Sequence, residues 1–169
     1  SSAASDVYKR QVYDNGGIYL DTDVELLKKP DFLLENQCYI GIQQPESLCT
    51  TGLGFGAQKS SPVVQKMMEC YDSISFTDQK KSTFACPWLN DKVIRSFGKV
   101  SNEDITYLKE VTVYPPRFFD PLSTGNTKNL LCDETVSIHH YAATWAGNKQ
   151  RWKRKLIRFF GEDRYFKLK

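Results

Sequence analysis

The sequence lacks paired cysteines and long apolar runs, and each absence excludes a class of protein. No stretch approaches the roughly 18 consecutive apolar residues that cross a bilayer, and the first residues do not resemble a secretory signal. The five cysteines are odd in number and never show a C-x-x-C spacing, which disfavours a disulfide framework and a zinc knuckle. We therefore expect one soluble globular domain in a reducing compartment.

Residues 1–11 are set apart by the string DVYKRQ at positions 6–11. This string resembles the translation of a transposon-end adapter used to prepare sequencing libraries. Segments introduced by processing or cloning are excluded from reasoning about a fold. We expect this segment to be non-native and the protein's own sequence to begin near Val12, as part of a longer protein.

Basic charge is concentrated in residues 149–169, which hold nine Lys and Arg against two acids, so the rest of the chain is net negative. On a helical wheel Trp152, Leu156, Phe159 and Phe160 share one stripe. This pattern is typical of an amphipathic helix at a membrane surface. A helix that packs the same stripe on its own core is the alternative.

Strand-like and helix-like segments alternate along the chain, and this order predicts a mixed α/β fold with a largely parallel sheet. The predicted helices are a last turn over Val12–Asn15 closed by Gly16 or Gly17, then Pro30–Asn36, 61–74 and Trp88–Phe97. The predicted strands lie in Ile18–Leu20, 38–43, 52–59 and 111–121, and 135–145 is predicted as a strand or its exit loop. In the helix predicted over 61–74, Val63 and Met67 fall on one apolar face.

Two carboxylates, Asp21 and Asp23, directly follow the first strand, where open α/β sheets bind ligands. Side chains two apart on an extended chain are about 6.6 Å apart, whereas two ligands of one magnesium-sized ion are at most ~4.2 Å apart. Either the chain turns there, or one aspartate binds through water or a substrate hydroxyl. An EF-hand is excluded because Leu26 stands where its loop requires glycine. Mg²⁺ or Mn²⁺ with a nucleoside diphosphate is the expected occupant.

The chain has only two histidines, His139 and His140, and they are adjacent. Adjacent residues on a strand point to opposite faces, so at most one of them can reach a shared site. Imidazole readily completes a metal site begun by carboxylates, although a single histidine is often a packing residue.

Three segments together resemble the sugar-nucleotide-dependent glycosyltransferases of family 32, which include capsular polysaccharide and mannosyl transferases. They are NGGIYLDTDVELLKKPDFLL, GFGAQKSSPVVQKMMECY and TVSIHHYAATW, and the likeness covers residues 12–152. The resemblance implies a GT-A fold and a metal-bound nucleoside diphosphate sugar, with transfer that retains anomeric configuration. The family's N-terminal nucleotide-binding strand and S-D-x-x-R helix have no counterpart in this sequence, so we expect base recognition to be missing and this fragment itself to be inactive.

The resemblance also implies roles for individual residues. Asp21 and Asp23 take the catalytic role, and they bind the metal together with His139, whose spacing to Trp145 matches the family better than that of His140. The donor-binding residues that it implies are Gly17, Tyr19, Asp21, Thr144 and Trp145.

The resemblance further divides the chain into a partial catalytic domain over residues 12–148 and the basic tail over 149–169. The implied partners are a nucleoside diphosphate sugar and a glycan or lipid-linked acceptor, with no nucleic acid. We expect a cytoplasmic protein in polysaccharide or glycolipid synthesis, with the basic tail suited to the inner face of the membrane.

Two alternatives come from other classes of protein. Haloacid dehalogenase-like phosphotransferases also place D-x-D after a strand, but they expect Gly-Thr where this chain has Val24 and Glu25. Their downstream lysine and acid pair is poorly matched by GEDRY at positions 161–165. A non-catalytic carbohydrate-binding relative that keeps the fold is the second alternative.

Overall fold

The computed structural model of the chain describes residues 2–72, 86–123 and 128–142. The predictions for Thr144, Trp145 and the basic segment 149–169 lie outside these ranges.

Helices and strands are interspersed along the described chain. The helices are α1 (Ser2–Asn15), α2 (Pro62–Asp72), α3 (Cys86–Arg95) and α4 (Pro116–Phe119), with a 3₁₀ helix over Asp31–Glu35. The strands are β1 (Gly17–Tyr19), β2 (Val24–Leu26), β3 (Cys38–Ile42), β4 (Cys49–Ala57), β5 (Thr106–Tyr107), β6 (Thr112–Tyr114) and β7 (Ser137–His139).

Five strands form a mixed sheet in the order β1-β4-β3-β6-β5, and β2 pairs with β7 in a second sheet. The mixed α/β prediction is confirmed, but the prediction of a largely parallel sheet is wrong. In the described residues β3 and β6 form the one parallel pair, and every other pair is antiparallel. A parallel connection needs about a dozen residues, whereas only positions 43–48 separate β3 from β4.

The apolar face predicted for the helix over 61–74 is present in α2. Val63, Val64 and Met67 are buried against Ile40 and Phe55 of the sheet in one continuous core. Burial of a side chain of this size contributes about 1.5–3 kcal/mol before entropy is counted. The core therefore holds α2 on one face of the sheet that carries β1 and its exit turn.

The end of α1 also matches its prediction. The N–H of Gly16 donates to the carbonyl of Val12 at 2.8 Å, and Gly16 has φ +73° in the left-handed region, where glycine is favoured as a helix cap. This cap turns the chain directly from α1 into β1. The helix itself extends back to Ser2, through the segment predicted to be non-native.

Two predicted segments correspond to the structure only in part. The segment predicted as a helix over Pro30–Asn36 is a 3₁₀ helix. The segment 135–145, predicted as a strand or its exit loop, contains strand β7 in its described part. Strands β2 and β5 were not predicted, because segments of two or three residues carry too little periodicity to be recognised. None of the described helices has the length and apolar character needed to cross a membrane.

Candidate metal centre

The D-x-D segment forms a reverse turn between β1 and β2. The N–H of Val24 donates to the carbonyl of Asp21 at 3.1 Å, and Thr22 and Asp23 occupy the turn between them. The turn takes the chain out of the extended conformation that would hold the two carboxylates about 6.6 Å apart. Of the two arrangements considered from the sequence, the structure has the one in which the chain turns.

His139, the last residue of β7, lies beside both carboxylates. Its Nε2 is 3.5 Å from Oδ2 of Asp21 and 3.3 Å from Oδ1 of Asp23. The pairing of β2 with β7 sets Val24 opposite His139, and this register brings the imidazole to the turn. One potential ligand atom from each of the three side chains lies within 4.8 Å of the other two. Within the described ranges, no other cluster of three His, Cys, Asp or Glu side chains is this close.

His140 faces away from this cluster. Its Nε2 lies 2.8 Å from Oε2 of Glu25 on the neighbouring strand. The two histidines thus follow the alternation of a strand, and only His139 reaches the aspartates. Glu25 and His140 form an exposed pair of a carboxylate and an imidazole outside the cluster. Substitutions of these two residues can therefore serve as matched controls for substitutions in the cluster.

Asp23 is held by the chain that leaves β7. The N–H of Ala142 donates to Oδ2 of Asp23 at 2.7 Å, and the N–H of His140 donates to the Asp23 carbonyl at 2.9 Å. With Oδ2 engaged in this way, Oδ1 is the atom that faces His139. The Asp23 side chain retains only 20% of its exposure, so its orientation is set by backbone groups rather than by solvent.

Asp21 is held by Tyr19, whose hydroxyl donates to Oδ1 at 2.8 Å. Burial opposes ionisation of Asp21, but hydrogen bonds from His139 and Tyr19 together outweigh it and hold the pKa of Asp21 below its usual 3.8. The carboxylate is therefore ionised at neutral pH and available as a ligand. At 39% exposure its side chain is the most accessible of the three.

An irregularity in β4 makes room for Asp21. The ladder between β3 and β4 shifts register after Ile40, so that positions 51–54 of β4 have no ladder partner in β3. The Gly52 carbonyl accepts the N–H of Asp21 at 3.3 Å. A β-carbon at Gly52 would fall 2.5 Å from Oδ2 of Asp21. Bulges of this kind commonly reshape a sheet next to a functional site.

Tyr19 is in turn supported by α1. The ring of Tyr8 stacks on that of Tyr19 with 3.9 Å between centroids, and the Tyr8 and Thr51 hydroxyls lie 2.6 Å apart. Tyr8 belongs to the segment predicted to be non-native, so part of the support for Tyr19 in this chain comes from those first residues.

A buried carboxylate, Asp120, anchors the loop that carries His139. The Tyr141 hydroxyl donates to Oδ2 of Asp120 at 2.9 Å, and the N–H of Gln44 donates to the same oxygen at 2.8 Å. The Tyr141 ring meets the His139 ring edge-on at 4.2 Å, and its N–H donates to His139 Nδ1 at 3.3 Å. In this contact Nδ1 accepts, so the proton of the neutral imidazole lies on Nε2, facing the carboxylates. A metal at Nε2 would require that proton to move to Nδ1, which would end the contact from the Tyr141 N–H and leave the ring edge to orient the imidazole.

Burial determines the direction of the pKa shifts of both Asp120 and Tyr141. Burial raises the pKa of Asp120, although hydrogen bonds from Gln44, Tyr141 and Ser123 oppose the rise. Burial also raises the pKa of Tyr141, so its hydroxyl keeps its proton and donates. Tyr141 has φ +49°, a conformation that bulky residues seldom adopt, and its bond to Asp120 stabilises it there.

The donor set fits a hard divalent cation. Two carboxylate oxygens and one imidazole nitrogen suit Mn²⁺ or Mg²⁺ better than a soft thiolate-seeking metal. The 4.8 Å limit on their separations is slightly larger than the ~4.2 Å that two ligands of such an ion can span. Small rotations of the side chains therefore suffice to bind one ion.

The remaining predicted donor-binding residues are placed as follows. Gly17 lies at the start of β1 with φ +117° and is separated from the cluster by the length of that strand, and Tyr19 touches the cluster through Asp21. Thr144 and Trp145 belong to the part of the chain that the structure leaves undescribed. Sequence reasoning missed Gly52, Asp120 and Tyr141, because their roles depend on contacts between segments distant in the chain.

Comparison of the chain with protein-family models, with curated proteins and with solved structures gave no match. Function must therefore be argued from the site itself.

Proposed function

We propose that this chain is part of a metal-dependent glycosyltransferase that moves a hexose from a nucleoside diphosphate sugar to a glycan or lipid-linked acceptor, with retention of anomeric configuration. The observation that carries the proposal is the convergence of Asp21, Asp23 and His139 at the exit of β1. The resemblance of the surrounding segments to family 32 supports it, and we include the GT-A fold in the proposal.

The proposed roles follow from the contacts. Asp21 Oδ2, Asp23 Oδ1 and His139 Nε2 would hold Mn²⁺ or Mg²⁺, because these are the atoms that face one another. The bound cation would supply positive charge opposite the departing diphosphate. The accessible side of Asp21 faces the donor in this proposal, while Tyr19 and Ala142 keep the two carboxylates in place.

Sugar transfer needs stabilisation of two developing charges. The leaving diphosphate gains negative charge while the anomeric carbon gains oxocarbenium character, as in glycoside hydrolysis. Retention requires attack on the face that the diphosphate leaves. No carboxylate is assigned as a covalent nucleophile. The proposal therefore uses a front-face route, in which the leaving phosphate assists attack by the acceptor and no covalent intermediate forms.

Metal binding gives the first test, because it does not require turnover. Titration calorimetry of the 169-residue chain with Mn²⁺ should show one site whose affinity falls at least about tenfold in Asp23→Asn and in His139→Ala. The exposed pair provides matched controls, since Glu25→Gln and His140→Ala remove the same chemical groups from outside the cluster. No Mn²⁺ binding, or equal losses in variants and controls, would contradict the proposal.

Donor use separates the proposal from its alternatives. A transferase should release nucleoside diphosphate from a panel of nucleotide sugars only with Mn²⁺ or Mg²⁺, and Asp23→Asn should abolish that release. Because the resemblance implies that base recognition needs a nucleotide-binding strand with no counterpart in this sequence, this measurement is made with such a segment supplied ahead of Val12. A phosphotransferase would instead form an aspartyl-phosphate on Asp21, and a non-catalytic relative would bind sugar without releasing diphosphate.

A further inference from the structure

A second concave site lies at the other end of the main sheet. It is a groove of about 550 Å³ beside Cys38 and Thr112, the first residues of β3 and β6. Strands β1 and β3 are both antiparallel to β4 and so run in the same direction. The metal cluster follows the last residue of β1, whereas the groove lies at the first residues of β3 and β6. The two sites are therefore distinct.

Aromatic rings form much of the wall of the groove. Tyr114 meets Phe32 edge-on at 6.2 Å and Phe118 at 5.0 Å. Tyr114 and Phe118 are themselves buried, so they support the ring of Phe32 from beneath. Tyr107 stands at the edge with 75% of its surface exposed, and Phe32 retains 40%. Large apolar side chains exposed together in a concavity mark a binding site more often than scattered ones do.

The charges of the groove restrict what it can bind. Its lining carries the carboxylates of Glu35, Glu110 and Glu134 and the ammonium group of Lys109. Two of these carboxylates have cationic partners, since Arg117 Nε lies 2.6 Å from Glu134 and Lys109 Nζ lies 3.8 Å from Glu110. The lining thus has no surplus of positive charge to attract phosphate, and among the described side chains these carboxylates do not form a cluster that could hold a metal ion. The groove therefore does not suit a nucleoside diphosphate.

We propose that this groove binds a neutral oligosaccharide, namely a distal part of the acceptor glycan. The apolar face of a hexose ring packs on exposed aromatic rings such as Tyr107 and Phe32. The carboxylates and Oδ1 of Asn36, whose Nδ2 already donates to Leu33 and Tyr114, accept hydrogen bonds from its hydroxyls. Groove volumes of about 300–1,000 Å³ are typical of small-ligand sites. The inference rests on the proposed function, since a glycan acceptor gives the groove its ligand.

Saccharide binding to the 169-residue chain tests this inference without any turnover. Chemical-shift titration with neutral tetrasaccharides of glucose, mannose and galactose should show at least one that binds and shifts groove residues. Tyr107→Ala should weaken its binding about tenfold or more. Trp88→Ala is the matched control, because Trp88 is an exposed aromatic residue, 51% accessible, that does not line the groove. Both positions are exposed, so neither variant should disturb folding.

The outcomes distinguish the inference from the proposed function. Asp23→Asn should lose Mn²⁺ affinity and keep saccharide binding, while Tyr107→Ala should do the opposite. If none of the tetrasaccharides binds, or if Tyr107→Ala and Trp88→Ala behave alike, the groove is not a glycan site, and the result for Mn²⁺ still decides the transferase proposal. Tighter binding of inorganic pyrophosphate than of any tetrasaccharide at the groove would also overturn the inference.

Discussion

Gly52 lies so close to Asp21 that a β-carbon at position 52 would fall 2.5 Å from the carboxylate oxygen Oδ2. That oxygen is one of the three atoms proposed to bind the metal. The absence of a side chain at position 52 is therefore a requirement of the site, because any larger residue must displace the carboxylate. The irregular stretch of β4 that contains Gly52 serves to place its backbone against Asp21.

We predict that Gly52→Ala lowers Mn²⁺ affinity about tenfold, since a displaced carboxylate can no longer meet His139. Titration calorimetry measures the effect. Gly41→Ala is the matched control, because its β-carbon would meet Phe119 in the core at 2.8 Å. The control should lower the melting temperature and leave Mn²⁺ affinity unchanged. An affinity in Gly52→Ala equal to that of the wild type would contradict this prediction, since it would mean that the Asp21 carboxylate moves aside without loss of binding or does not bind the metal.

The tyrosine that bears on His139 gives a second prediction. Tyr141→Phe removes the hydroxyl that donates to buried Asp120, and loss of a donor to a buried acceptor costs about 1–3 kcal/mol of unfolding free energy. Denaturant unfolding measures this loss, and Tyr107→Phe, at an exposed hydroxyl, should show none. Because the ring remains against His139, Mn²⁺ affinity should fall less in Tyr141→Phe than in Tyr141→Ala. Equal affinities in the two variants would mean that the ring does not position the imidazole.

The sequence was most informative where one strong local signal determined the structure. Gly16 ends α1 because a left-handed residue is needed there, and α2 follows from a regular apolar face. Sheet direction was inferred from the alternation of elements, which is a weaker argument. The six residues between β3 and β4 are too few for a parallel crossover, so connection length was the signal that could have predicted an antiparallel pair.

The site residues also divide into those that a local sequence signal predicts and those that depend on distant contacts. Two carboxylates directly after a strand predict Asp21 and Asp23 as site residues. Strand alternation predicts that at most one histidine reaches them, and the spacing to Trp145 in the resemblance favours His139. Gly52 and Asp120 act across the sheet, through contacts that no local spacing encodes. A buried aspartate before a proline, as in FFDP, is the one local signal that could have drawn attention to Asp120, because a charge amid apolar residues needs partners when it is buried.

The raised pKa of Asp120 gives a prediction on pH. Since burial lifts its pKa above the usual 3.8, the folded chain holds this proton more tightly than the unfolded chain does. The resulting stability is present in full below pH 3.8 and is lost as the pH rises through the raised pKa. The unfolding free energy of the wild type should therefore fall relative to that of Asp120→Asn over this window. Urea unfolding with a chelator present measures the difference, and Asp31→Asn, at an exposed site, should not reproduce it. A difference that stays constant would show that the hydrogen bonds from Gln44 and Tyr141 balance burial, and one that grows in favour of the wild type with rising pH would show that they outweigh it. Either result would contradict the prediction.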